Sequence, residues 1–144
     1  MKKIVLISLT VVAAFAVQSQ NVQMDPEKMF QILKPKMSHM YEVMIPALEK
    51  TEKCIEKAER KKDFAECSNY MMEAGREFMP KGINEDPLTE EDLKDMKWSE
   101  EERAKVLKDL RRTKKEMKKM KECIDNSKNM QNLDTCMKEV GVAR

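Results

Sequence analysis

The sequence predicts an all-α protein: two disulfide-stapled helical hairpins packed as a small bundle, with a short connecting helix. Three observations carry this prediction. Cys54 and Cys67, and again Cys123 and Cys136, are separated by the same C-x12-C spacing. Apolar residues recur at three and four positions on both sides of each pair. No segment alternates like a strand, and three glycines in 144 residues give little turn chemistry for an all-β fold.

An offset of 69 residues lays Cys54-Ile55-Glu56 on Cys123-Ile124-Asp125, Asp63-Phe64 on Asn132-Leu133, and Cys67 on Cys136. Met37, Tyr41 and Leu48 fall on Val106, Leu110 and Met117. This predicts a tandem repeat, with copies at about 26–79 and about 95–144 and a linker at 80–88.

In the first copy, Met37, Met40, Tyr41, Met44, Ile45, Leu48, Ile55 and Ala58 form the stripe of a long helix. Phe64, Cys67, Met71, Ala74 and Phe78 form that of a shorter one. Val106, Leu107, Leu110, Met117, Met120 and Ile124, then Leu133, Met137 and Val140, repeat the scheme. Pro35 is expected to separate a short leading helix from the main one, and Pro46 to kink it. Leu88-Thr89 with Asp92 and Leu93 predicts a helix near 90–97, and Trp98-Ser99 with Glu102 predicts a long one from about 100 to 127.

Each cysteine pair straddles a turn, around Glu59–Lys62 in one copy and Asn129–Met130 in the other. Residues equidistant from such a turn sit at one height on antiparallel helices, where a bridge can close. The pairing expected is therefore Cys54–Cys67 and Cys123–Cys136 rather than either crossed connectivity.

The chain opens with Lys2 and Lys3, an apolar run from Ile4 to Val17, and small residues suited to cleavage after Ala16 or Ser19. That is the pattern of a signal peptide, here residues 1–19, and the run is shorter than the roughly 20 residues a membrane span needs. No cysteine near the cleavage site offers a lipid attachment. The mature domain, 20–144, is expected in the periplasm or secreted, with no membrane span after cleavage. An even cysteine count suits that oxidising location. Loss of Lys2 and Lys3 leaves 26 basic residues against 26 acidic ones, so the slight basicity belongs to the signal and does not point to nucleic acid.

No constellation for catalysis is apparent. The cysteines lack the close spacing of thiol-redox enzymes, the single histidine offers no base network, and there is no Gly-rich phosphate loop. The expected function is a non-catalytic binding module for a protein, peptide or lipid. Its candidate surface is a methionine cluster of Met37, Met40, Met44, Met71, Met117 and Met120, read as core, as an adaptable apolar groove, or as soft ligands for Cu(I). Otherwise no cofactor is expected. His39 lies about 200° around the helix from Met37 and about 100° from Met40, so it leaves that stripe. A basic strip of Arg103, Arg111, Arg112, Lys115 and Lys119 suggests an acidic partner or anionic lipid, or simply a solvated helix whose charges suit its dipole.

Leu88-Thr89-Glu90-Glu91-Asp92 resembles the LTxxQ motif of Spy-like periplasmic helical chaperones, with Trp98-Ser99-Glu100-Glu101-Glu102 a looser echo. The final glutamine is replaced in both stretches, and ordinary helix capping accounts for the same residues. What the resemblance implies is chaperone-like client binding.

Overall fold

A computed structural model describes residues 25–81 and 86–142; the expected signal, residues 1–19, lies outside them. Among the described residues there are four α-helices and no strand: α1 (Pro26–Ile55), α2 (Lys61–Gly75), α3 (Glu100–Asn126) and α4 (Met130–Glu139). Single 3-10 turns lie at Arg76–Phe78 and Glu91–Leu93.

Helix α1 starts at Asp25, whose carboxylate accepts from the Glu27 amide at 3.2 Å, with Pro26 in the first turn. It then runs unbroken through both Pro35 and Pro46. The break expected at Pro35 does not occur. Phe30, Met37 and Tyr41 keep one apolar phase across it, and the carbonyls that the prolines leave without a donor belong to the exposed residues Gln31 and Glu42, within reach of water.

The other starts are capped locally. Asp63 accepts from the amides of Glu59 and Arg60 at the head of α2. Ser99 Oγ accepts from the Glu102 amide at 3.2 Å before α3, and Asn129 Oδ1 from the Asn132 amide at 2.8 Å before α4. Helix α4 stops in a Schellman turn, where the Gly141 amide donates to Lys138 O and the Val142 amide to Met137 O. Gly141 takes φ +74° there, which a side chain would oppose.

The connecting helix expected near 90–97 is reduced to the turn Glu91–Leu93. Met96 and Trp98 both pack on the same core although they are two residues apart, a spacing that extended chain satisfies and helix does not. Of the expected cap, the return bond forms, the Thr89 amide donating to Asp92 at 2.8 Å, while the Thr89 hydroxyl donates to the same carboxylate at 2.6 Å. Asn69 on α2 fixes this segment by accepting from the Leu88 amide and donating to its carbonyl.

Helices α1 and α3, about 45 and 40 Å long, lie antiparallel, with α2 against α1 and α4 against both α3 and α1. Two apolar cores form. One gathers Ile55, Ala58, Phe64, Ala65, Cys67 and Leu93 under Trp98, Val106, Leu107 and Leu110. The second gathers Phe30, Tyr41, Cys123, Ile124 and Leu133. Each contains a disulfide: Cys54–Cys67, with Cα atoms 5.5 Å apart, and Cys123–Cys136, at 5.6 Å.

Donors from the start of each half close the end of the opposite long helix. Trp98 Nε1 and Arg103 donate to Ala58 O at 3.1 and 3.3 Å, just past α1. Lys34 Nζ donates to Ser127 O at 2.6 Å and Gln31 to Lys128 O at 3.3 Å, just past α3. Cationic donors at helix C-termini satisfy terminal carbonyls and oppose the negative end of the dipole.

Candidate functional site

The apolar stripe of α1 faces α3, and this brings four of the six candidate methionines together. Met37, Met40, Met117 and Met120 are half-buried around the second core, joined by Met130 and Met137 from α4. Met44 and Met71 are also half-buried but belong to neither core. Met130 and Met137 could have been included from the sequence, because they flank Leu133 on one face at i−3 and i+4.

Tyr41 lies in the middle of this shell, and its hydroxyl donates to the Met120 sulfur at 3.5 Å. Burial pushes the phenol above its ordinary value, so it remains a neutral donor. A thioether is a weak acceptor, and this bond orients Met120 without binding it tightly.

His39 takes no part in the shell. Its exposed ring meets Glu77 Oε1 at 2.6 Å through Nε2 and packs edge-on to the Phe78 ring, with the ring centres 5.8 Å apart, tying α1 to the turn that ends α2.

The basic strip divides into two sets. Arg103 turns inward to Ala58 O. Arg111 reaches Glu52 at 2.9 Å and Glu56 at 3.1 Å on α1. Arg112 is exposed and pairs only with its neighbour Asp109 at 3.2 Å. Lys115 is exposed and Lys119 half-exposed, and neither makes a salt bridge among the described residues.

Arg111 is one rung of a ladder that the sequence reading missed. Lys114 pairs with Glu52, Lys118 with Glu49 at 3.0 Å, and Lys121 with Glu42 at 3.7 Å. Asp125 extends it by accepting from Ser38 at 2.6 Å. The signal was available: Glu49, Glu52 and Glu56 repeat at three and four residues, as do Arg111, Lys114, Lys118 and Lys121. An open depression of about 370 Å³ lies along the ladder, lined by Glu49, Glu52, Lys53, Glu56 and Lys114. Its acids are matched by cations, so it presents no concentrated charge of either sign.

Hydrogen bonds from Lys114 and Arg111 hold the Glu52 carboxyl below its ordinary value, and Lys118 does the same to Glu49. Lys121 and Ser38 lower Asp125. A carboxylate whose folded value is depressed favours the folded state fully above its unfolded value, and that contribution is lost as pH falls through the folded value. The melting temperature is therefore expected to hold from neutral pH to about 5 and to fall as the pH drops further, through the depressed values of these carboxylates. Glu52→Gln should cost about 2 kcal/mol at neutral pH and make that acid-induced fall shallower, as read by urea denaturation across pH. An unchanged profile would remove the ladder from the account of stability.

Among the described residues, no group of three or more His, Cys, Asp or Glu side chains is placed to hold a metal ion, and no helix is long and apolar enough to cross a membrane. The two disulfides point to an oxidising, exported environment. Comparison of the chain with protein-family models, with curated proteins and with solved structures gives no match.

Proposed function

We propose that this chain is an exported, non-catalytic binding module, periplasmic or secreted, whose methionine-lined end accepts an apolar segment of a protein or peptide partner. The observation that carries the reading is the convergence of six half-buried methionines around one core. Unbranched thioether chains re-pack at little cost, which suits a surface that must fit varied apolar shapes. The opposite core has a single methionine against it, Met96, and is otherwise covered by side chains of more fixed shape such as Leu88, Trp98, Val106 and Leu107. An unfolding client is one partner of this kind.

The module is built, in this reading, from two tandem hairpins related by a pseudo-two-fold axis. Contact pairs that exchange under the 69-residue offset support it. The offset carries Lys34 onto Arg103 and Ala58 onto Ser127, so the two helix-closing bonds are one contact with the halves swapped. It carries Glu42–Lys121 onto Arg111–Glu52, and Glu49–Lys118 onto itself. A pair that maps onto itself is what an axis between α1 and α3 requires.

Substituting leucine at Met37, Met40, Met117 and Met120 together preserves volume while stiffening the surface, at less than about 1.5 kcal/mol per site. Binding of a reduced, carboxymethylated unfolded protein should then weaken by about fivefold or more, read by fluorescence anisotropy. Unchanged binding by a folded variant would defeat the proposal.

A second reading, Cu(I) handling, is favoured by the same convergence of soft sulfur donors. Anaerobic titration against a competing chelator decides it: binding no tighter than micromolar removes it.

A further inference from the structure

Tyr41 is 4% exposed in the second core, and the one hydrogen bond its hydroxyl makes among the described residues goes to the Met120 sulfur at 3.5 Å. Burying a hydroxyl costs free energy that a good acceptor offsets, and a thioether is a poor acceptor. Under the 69-residue offset Tyr41 matches Leu110, an apolar residue that packs against the first core, so the repeat proposed above does not itself call for a hydroxyl here.

This contact sets Met120 apart from its neighbours. Met37, Met40, Met117, Met130 and Met137 are half-buried like it, but among the described residues no hydrogen bond reaches their sulfurs. The difference bears on one reaction, oxidation by a hydroperoxide. The sulfur attacks one peroxide oxygen and gives two electrons to the peroxide, so that an S–O bond forms and the O–O bond breaks. The proton of the transferred oxygen passes to the departing one, which leaves as water or an alcohol.

Negative charge builds on the departing oxygen in the transition state, and a donor that reaches it lowers the barrier. Water is that donor at an exposed methionine. In a half-buried shell of thioethers, the Tyr41 hydroxyl can act at the one sulfur it faces. Burial keeps the phenol protonated, so it donates throughout and gives up no proton. Afterwards the same hydroxyl meets a stronger acceptor, because the sulfoxide oxygen sits on that sulfur and the unbranched Met120 chain can rotate to align it.

We infer that Met120 is a site of methionine sulfoxide formation by hydroperoxides, with the Tyr41 hydroxyl as the donor that promotes the step and then holds the product. The oxidising environment to which the disulfides point is one in which a sulfoxide persists. The product places a polar group in the methionine shell, and under the function proposed above this weakens the hold on an apolar partner. The site itself stands on the Tyr41–Met120 contact and not on that function.

In the test, the folded mature chain at neutral pH receives a limited dose of hydrogen peroxide, and peptide mapping by mass spectrometry follows the sulfoxide at each methionine. Met120 should oxidise roughly threefold or more faster than Met117, its half-buried neighbour on α3. Tyr41→Phe keeps the ring and removes the hydroxyl, and it should bring the Met120 rate down to that of Met117. A mere loosening of the core by this change would raise both rates, which is the opposite direction. In the isolated Met120 sulfoxide, the ring resonances of Tyr41 should move in NMR while those of Tyr70, on α2, stay in place.

Met120 oxidising no faster than Met117, or a Tyr41→Phe variant in which the ratio of the two rates is unchanged, would overturn the proposal. The sulfoxide form also tests the functional reading separately. It should bind the reduced, carboxymethylated unfolded protein several-fold more weakly, and undiminished binding would count against the methionine end as a binding surface while the oxidation site stands.

Discussion

Reduction of both disulfides is expected to leave the protein unfolded at about 37 °C. Each bridge closes a loop with a sequence separation of 13, and such a loop contributes on the order of 3 kcal/mol. Two of them represent a large part of the 5–15 kcal/mol typical of a small domain.

The two bridges should not be equivalent when removed singly. Cys54–Cys67 joins α1 to the 15-residue α2, which also holds Asn69 against Leu88 and Phe64 against the Trp98 ring at 4.8 Å. Cys123–Cys136 joins α3 to the ten-residue α4, which has less to hold it. Replacing Cys123 and Cys136 with serine should therefore release α4 locally, stripping hydrogen-exchange protection from Met130–Glu139. The same change at Cys54 and Cys67 should lower the whole unfolding transition. Circular dichroism with and without reductant, alongside hydrogen exchange, measures both, and a reduced protein that retains its helical signal at that temperature would refute the expectation.

Phe30→Ala is expected to cost about 3–5 kcal/mol. Phe30 is fully buried in the first turns of α1, where it packs with Leu133 and Ile124 under the methionine shell. Truncation leaves a cavity at the end of the molecule where α1, α3 and α4 meet. Flexible methionines can partly refill it, which places the cost toward the lower end of that range. Ile32, 49% exposed two residues along, provides the control: Ile32→Ala should change stability by about 0.5 kcal/mol or less. Urea denaturation of the two variants gives the comparison, and similar losses from both would contradict this description of the core.

Much of the helical scheme could be read before the structure, because periodicity and capping are local. Ser99 and Glu102 mark the start of α3, and the phase shared by Ile55 and Ile124 marks the ends of both long helices. What failed to read depended on three-dimensional context. Pro35 is a breaker in sequence, but an exposed proline on a helix whose opposite face is buried can be absorbed. Met96 falls within the helix expected near 90–97, because nothing local shows that it and Trp98 both reach one core through extended chain.

The basic strip takes five cations spread along α3, Arg103 to Lys119, but which of them meet acids depends on where α1 lies. Arg111 faces Glu52 and Glu56, whereas Lys115, four residues on, faces outward. The methionine cluster was partly legible for the same reason. Its members on α1 and α3 follow the apolar stripe, and the spacing of Met130 and Met137 about Leu133 puts them on the buried face of α4, but which core that face joins depends on where α4 packs.

The methionine end is the centre of the functional account, and it can be observed directly. With methionine methyl groups labelled with carbon-13, the reduced and carboxymethylated unfolded protein would be titrated into the native chain while each methyl resonance is followed. The account predicts shifts or broadening at Met37, Met40, Met117 and Met120, with Met130 and Met137 following and Met96, on the opposite core, unaffected. Saturating additions that leave those four resonances unmoved, or that perturb only methionines elsewhere, would contradict it.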